Sequence, residues 1–547
     1  MVAALAQSKP ILHKSILVAA ALAILAGIVL RAEHLGAKTF WGDEILGLMH
    51  MLGYTEAEIV HAGPNIRTAG DLQAYFQLSG PRNDGPRPLV ATIRSLASED
   101  PQHPPVYYLL GRLWVAWAGL TPTTLRTLPL VFGLLSIGAM AWLAFELFGS
   151  TRAALIAASL YAISPFEVLY SQEARETTLW ALETLVSGAL LLRAVRTGSI
   201  KLWLVYGLTC AVSLYTYPLA AVVMVSHCVI VVAGPELRKR EVLVPYFLAS
   251  LGATLPFLPW LFILSTSQSG VKALGILLSN KPTASGVVLT FMRDIKATMI
   301  DVGTVAPGTI VRLALSGAGA AILALVVYCV ARLTVSCKQT ASRFIVATFA
   351  IPAMPLLVIH GGALIGQLRY LQPTFLATQL ALTAFYHATL QNVRTRQSAS
   401  IVAVGSYLLI LALSFISCWI SAGADTWYDK AYERTARVAA IINQSAEPLV
   451  VGDLAAVNDR GTSRVVELGY YLKPQIAMRV NLHCEACLIP PPAPIDVFAD
   501  ANRFRNVFVL GILKRRIPAG PWSVLQIGID IDPPGRGPLE MFAQYPR

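Results

Sequence analysis

Residues 11–30 read ILHKSILVAAALAILAGIVL, and residues 31–44 continue RAEHLGAKTFWGDE. The first stretch is long and apolar enough to span the hydrocarbon core of a bilayer. Lys9 and Lys14 lie at its start, and no small-x-small cleavage site follows the run before Arg31-Ala32-Glu33-His34. It therefore reads as a retained anchor with a cytoplasmic N-terminus and not as a cleaved leader. The second stretch puts two adjacent carboxylates, Asp43 and Glu44, where the chain has just left the membrane.

The rest of the chain has the same character. Of 547 residues, 55% are hydrophobic and only 14% are charged, against about 25% charged in ordinary soluble proteins. Mean hydropathy is +0.59, so most of the surface does not face water. Further apolar runs begin near Val106, Leu128, Ala153, Thr178, Leu202, Leu219, Val242, Ile310, Phe344, Thr374 and Ile401. All but those near Val106 and Leu219 reach the length of a crossing. The expected fold is mainly α and polytopic.

Lysine and arginine number 43 against 31 aspartates and glutamates, a net charge of +12. The basic residues sit in short clusters between apolar runs, which is the positive-inside pattern of a membrane protein and not a nucleic-acid face. An anionic substrate is a second reason for the excess. Arg193/Arg196/Lys201, Arg238/Lys239/Arg240, Arg332/Lys338/Arg343 and Arg394/Arg396 mark the cytoplasmic side. The segments 170–175, 215–218, 265–309 and 361–373 then face outside, as does everything after Ala422. A cytoplasmic N-terminus and an outer C-terminus require an odd number of crossings. About 11 remain if the segment 106–120, with Tyr107, Tyr108, Arg112, Trp114 and Trp117, lies at the interface without crossing.

Two regions differ from the apolar runs. Residues 31–105 form a first outer loop too long for a turn. From about Gly423 the chain becomes polar, with short strand-like runs at Pro448–Asp453 and Asn506–Leu510. This predicts a transmembrane module over 1–422 and a small extracytoplasmic α/β domain over 423–547. Cys210, Cys228, Cys329 and Cys418 lie in or beside apolar runs and read as small core residues. Cys484 and Cys487 form a lone CxxC, which is either structural, a local disulfide or part of a metal site whose other ligands are not evident.

Four clusters on the predicted outer face carry polar groups suited to chemistry. Trp41-Gly42-Asp43-Glu44 pairs two carboxylates, one of which can take a proton from an acceptor hydroxyl; the plainer reading is a solvated loop acid. In Glu99-Asp100-Pro101-Gln102-His103-Pro104-Pro105-Val106-Tyr107-Tyr108, the prolines stop one helix and aim the next. His103 there is either a phosphate or sugar contact or a structural loop histidine. Tyr170-Ser171-Gln172-Glu173-Ala174-Arg175-Glu176 contains an arginine on a face poor in basic residues. A phosphate or an ion pair with Glu173 or Glu176 explains it equally well, and in a helix those two glutamates would share a face. Gly366-Gln367-Leu368-Arg369-Tyr370-Leu371-Gln372-Pro373 adds Arg369, whose guanidinium suits bidentate phosphate binding or anchors the interface beside Tyr370. No phosphate-binding glycine loop is present, so the activated substrate is expected to arrive as a lipid-linked phosphate.

Taken in order, these motifs resemble the bacterial family 39 glycosyltransferases. Those enzymes are similar to protein O-mannosyltransferases and aminoarabinose lipid A transferases, all of the GT-C membrane fold. The resemblance spans roughly the first 420 residues by hydropathy. It implies a GT-C-type bundle and a bacterial inner-membrane enzyme that moves a sugar, with inversion, from a polyprenyl-phosphate donor. The acceptor is a glycan, lipid or protein on the outer face. Carried over by motif, Asp43 is the base, Glu44 assists or orients it, and Glu173 is the second acid. Arg369 and Arg175 neutralise the leaving phosphate, while Asp100, His103, Tyr107 and Tyr370 are further substrate contacts. No compact metal-ligand set is evident and no cofactor is certain; a divalent metal is compatible with the wider fold. Two other classes share some of these features. A polymerase or ligase of lipid-linked glycans would use the same donor type. A secondary transporter would place its acids near mid-bilayer within repeated halves, and no repeat is visible.

Overall fold

A computed structural model gives the structure of the chain, and the description covers residues 2–267, 283–301, 309–336, 339–359, 368–391, 397–423, 435–453, 461–482, 492–510, 522–523 and 543–544. The chain is a mainly helical, multi-pass membrane protein with a small C-terminal sheet. Among the described residues six helices are long and apolar enough to cross a bilayer, by length and composition. They are Lys14–Ala32, Pro122–Phe148, Thr177–Thr197, Arg240–Thr266, Leu313–Val335 and Ser398–Ala422. Ile200–Thr216, Ala220–Ala233 and Thr340–Met354 are shorter apolar helices.

Every apolar run read from the sequence is helical, but two are divided. The run near Val242 passes through a 3-10 turn at Leu255–Phe257. The run near Ala153, expected to cross as a unit, is a helix over Thr151–Ala162 and a second over Pro165–Tyr170. Pro165 lacks the N–H that would have continued the first helix and instead opens the second at its N-terminus. This break sets up the site. The chain leaves the second helix into a turn at 171–176, not into the helix in which Glu173 and Glu176 would share a face, and re-enters helix at Thr177.

That turn is held by the end of the first helix. Arg31 donates from Nε to Ser171 Oγ at 3.1 Å and from its Nη atoms to the carbonyls of Ala162, Tyr161 and Gly27. Gln172 Nε2 donates to the carbonyls of Leu30 (2.9 Å) and Glu33 (3.0 Å). Burial of the Arg31 guanidinium is tolerable because backbone carbonyls left over at helix ends accept its protons. Gly133 allows the close approach on the other side, since a Cβ there would overlap the Ser171 side chain.

The 31–105 loop forms short capped helices at Gly42–Leu52, Glu56–Ala62 and Ala69–Gln73, followed by Leu89–Glu99. Thr55 and Thr68 accept at their helix N-termini from Glu58 N and Asp71 N, satisfying otherwise orphaned amides. The Glu99 carboxylate does the same for Glu56 N (2.5 Å) and Ala57 N (2.9 Å). The helix Pro105–Ala118 has 14 residues. Its Tyr107, Tyr108 and Arg112 turn inward and are buried, whereas Leu110, Leu113 and Trp117 are exposed.

Beyond the last long helix, strands Ala477–Asn481, Pro448–Asp453 and Asn506–Leu510 form a parallel sheet with Pro448–Asp453 in the centre. The two strand-like runs read from the sequence are two of these strands. A two-stranded antiparallel pair joins Trp522–Ser523 and Ala543–Gln544. The sheet is seated on the first loop. Ala69 N and Gly70 N donate to Ile476 O and Pro474 O at 2.8 Å, and Met478 N donates to Arg67 O at 2.8 Å. Cys210, Cys329 and Cys418 are buried free thiols and Cys228 is a partly buried one. Cys484 and Cys487 lie outside the described residues.

Candidate active site

The Gly42–Leu52 helix begins on the two adjacent acids, and its geometry sends them in different directions. Successive residues on a helix point about 100° apart, so Asp43 and Glu44 cannot share surroundings. Glu44 is fully buried. It receives Arg126 Nε on Oε1 at 2.9 Å, Arg126 Nη2 on Oε2 at 2.6 Å and Ala174 N on Oε1 at 2.8 Å. Trp41 N donates to Oε2 at 3.4 Å, within the helix cap. Arg126 also donates to the carbonyls of Leu35, Lys38 and Thr39 at 2.9–3.0 Å. Glu44 thus binds the loop, the Pro122–Phe148 helix and the 171–176 turn together.

Asp43 faces outward. Its side chain is 36% exposed, against 0% for Glu44 and 1% for Glu176. Arg369, in the short 3-10 turn Leu368–Leu371, approaches Asp43 Oδ2 with Nη1 and Nη2, both at 3.4 Å. Burial by itself would lower the Arg369 guanidinium. Tyr370, Asp43, Tyr217 and Glu173 together hold it well above its ordinary value, so it stays charged. Its guanidinium lies over the Tyr370 ring, 5.6 Å from the centroid, and Tyr370 stacks on Tyr217 at 6.3 Å and 20°.

The 171–176 turn supplies Arg175 and Glu176. Arg175 Nε lies 3.3 Å from Glu176 Oε2, Nη1 donates to the main-chain carbonyl of Asp43 at 3.3 Å, and Nη2 lies 2.7 Å from His103 Nε2. His103 Nδ1 in turn lies 2.8 Å from both carboxylate oxygens of Asp100. Burial would raise the Asp100 carboxyl, but His103, which holds it by a hydrogen bond from Nδ1, and the nearby Arg175 guanidinium keep it well below the usual carboxylate range. The Glu176 carboxyl is also lowered: the guanidinium groups of Arg175, first, and Arg369 outweigh the effect of burial.

Asp43, Asp100, His103, Arg175, Arg369 and Tyr370 therefore meet in one place, although they come from four separate stretches of chain. Tyr107 is fully buried beside Tyr108, with ring centroids 5.6 Å apart. Glu173, within the same turn, is fully buried, and its carbonyl accepts from Arg175 N at 2.7 Å. Glu99, next to Asp100, is a helix cap. Arg126, Glu176 and Tyr217 are members of the arrangement beyond those expected. Arg126 had a legible signal: it is an arginine in the first turns of an apolar run, at the end expected from the sequence to lie on the face poor in basic residues. Among the described residues no group of three or more His, Cys, Asp or Glu side chains is placed to hold a metal ion.

Residues 102–263 match the family model of dolichyl-phosphate-mannose-protein mannosyltransferases. The matched stretch contains His103-Pro104-Pro105 and Tyr170–Arg175, two of the four motifs that carry the family 39 resemblance. No curated protein matches the chain significantly. Among solved structures, ArnT from Cupriavidus metallidurans bound to undecaprenyl phosphate is similar at 13% identity and TM-score 0.48, over 84% of this chain and 85% of that one. The oligosaccharyltransferase AglB from Archaeoglobus fulgidus, in complex with an inhibitory peptide and a dolichol-phosphate, is similar at 13% identity and TM-score 0.47, over 85% of this chain. A second Archaeoglobus fulgidus oligosaccharyltransferase structure, in complex with Zn and sulfate, is similar at 14% identity and TM-score 0.44, over 84% of this chain. The chain spans 62% to 64% of the length of these archaeal oligosaccharyltransferase chains.

Proposed function

We propose that this chain is a membrane glycosyltransferase that moves a sugar from a polyprenyl-phosphate donor to an acceptor hydroxyl on the extracytoplasmic face, with inversion. The observation that carries the reading is the Asp43–Arg369 pairing. It joins the most accessible of the candidate carboxylates to a buried guanidinium held charged by its surroundings. Asp43 takes the proton of the acceptor hydroxyl as its oxygen attacks the anomeric carbon. The bond from that carbon to the phosphate oxygen breaks on the opposite face, so configuration inverts. Arg369 receives the negative charge that grows on the leaving phosphate, and an interaction that strengthens along the reaction lowers the barrier.

The 3.4 Å separation of Arg369 from Asp43 suits this exchange. It is longer than a tight charge-assisted pair, for which about 2.8 Å is usual, so the guanidinium can turn to phosphate without breaking a strong bond. Glu44, buried behind the site and paired with Arg126, has a structural role, and Glu173 is a buried acid whose charge acts on Arg369. We assign residues 1–422 to the catalytic transmembrane module and 423–547 to an extracytoplasmic domain of a bacterial inner-membrane protein.

Membranes containing the protein are to be supplied with labelled polyprenyl-phosphate sugars and assayed for transfer. Wild-type transfer that Asp43→Asn abolishes supports the reading. Equal transfer by Asp43→Asn removes Asp43 as base, and a topology reporter after Gly423 that reads cytoplasmic places the site on the wrong face.

A further inference from the structure

We infer that Asp100, His103 and Arg175 form a buried positioning relay that holds Asp43, with His103 a neutral acceptor for Arg175 and not a donor to substrate. The inference rests on the reading of Asp43 as base.

The assignment follows from hydrogen-bond inventory. A guanidinium has donors and no acceptor, so the 2.7 Å contact between Arg175 Nη2 and His103 Nε2 requires Nε2 to accept. A neutral imidazole then carries its proton on Nδ1, where the two Asp100 oxygens at 2.8 Å receive it. Both ring nitrogens are engaged within the protein, and none is left for a phosphate or sugar. The ring is also walled in, with Tyr108 and Tyr217 at centroid distances of 6.4 and 6.3 Å.

Local sequence builds the first half of the relay. Asp100 N caps the Leu89–Glu99 helix by donating to Leu96 O at 2.9 Å, and His103 N donates to Asp100 O at 3.0 Å. This tight turn sets the two side chains face to face. Pro104 and Pro105 then fix the backbone that leaves His103. The second half is long-range. Arg175, oriented by His103 on one edge and Glu176 on another, donates to the Asp43 carbonyl at 3.3 Å. Most of its donor edge is consumed by these contacts, which leaves Arg369 as the guanidinium for the donor phosphate. Asp100, His103 and Arg175 are positioning residues in this scheme.

Two substitutions of His103 separate a positioner from a substrate contact. In His103→Gln the amide oxygen can occupy the place of Nε2 and accept from Arg175. In His103→Lys an ammonium could serve a phosphate but repels Arg175. With full-length protein and polyprenyl-phosphate sugar, kcat of His103→Gln is expected within about tenfold of wild type, while His103→Lys loses about 100-fold with donor KM little changed. Lysine equal to or better than glutamine, or a loss confined to donor KM, overturns the relay. Unfolding midpoints in detergent without donor give a second readout. His103→Lys is expected to melt below His103→Gln, and equal midpoints overturn the relay even if wild type transfers no sugar, a result that would sink the glycosyltransferase reading alone.

Discussion

Arg126 and Glu44, 82 positions apart, form a two-pronged ion pair at 2.9 and 2.6 Å in which neither side chain is exposed. The pair bolts the start of the Gly42–Leu52 helix to the Pro122–Phe148 helix, one residue from Asp43. Removing one member strands the other charge in a site without water. Arg126→Met is therefore expected to destabilise the protein by about 3–5 kcal/mol. Arg126→Met with Glu44→Met should recover part of that loss. Unfolding midpoints of the single and double variants in detergent check this.

The neighbouring acid should behave in the opposite way. Asp43 is partly exposed and only loosely paired with Arg369, so Asp43→Asn is expected to cost about 1 kcal/mol, clearly less than Arg126→Met. Transfer should nonetheless fall by about 100- to 10,000-fold, the range for loss of a positioned base. Activity and melting measured on one preparation separate the two acids of the pair.

Arg369 approaches Asp43 with both Nη atoms, and the same planar fork fits a phosphate. Arg369→Lys keeps the charge but not the fork. We expect kcat to fall by about 10- to 100-fold, more than donor KM rises. Steady-state kinetics with varied donor concentration measure the split.

His50 gives the stability of the first loop a pH dependence. It is buried in the Gly42–Leu52 helix with Nδ1 2.7 Å from Ser95 Oγ. Burial is the main cause that lowers it from 6.5 to about 4. Between those values the unfolded chain binds the proton and the folded chain does not. Stability is therefore complete above pH 6.5 and falls as pH drops towards 4, by at most roughly 3 kcal/mol. Asp100 and Glu176, whose carboxyls are depressed, contribute above their unfolded values and lose that contribution only at lower pH. His50→Asn, which can still meet Ser95, should flatten the pH 4–6.5 limb of a melting-against-pH curve.

The C-terminal part reaches the loop that carries Asp43 through Tyr471, whose Oη accepts from Phe40 N, while the Tyr470 ring packs on Phe40 at 5.2 Å. Tyr471→Phe leaves that amide unpaired among buried side chains. A loss of about 1–3 kcal/mol is expected, with a fall in transfer because Phe40 leads directly into Asp43. Melting and transfer rate are the measurements, with Tyr471→Trp as a bulk control.

The sequence by itself determined the apolar runs, each of which is helical, because hydropathy and helix periodicity are local properties. Strands Pro448–Asp453 and Asn506–Leu510 were legible for the same reason. So were the polar motifs, which stand out against an apolar chain. Local pattern did not reveal the break at Ser164-Pro165 as the device that turns 171–176 into the site, nor the part taken by Arg126. Only the tertiary structure decided which of two adjacent acids meets the outside. Asp43 and Glu44 are alike in charge and next to each other in sequence, but they diverge around the helix axis. Their partners, Arg369 and Arg126, come from far-separated later stretches of the chain, and no local pattern specifies which guanidinium meets which carboxylate.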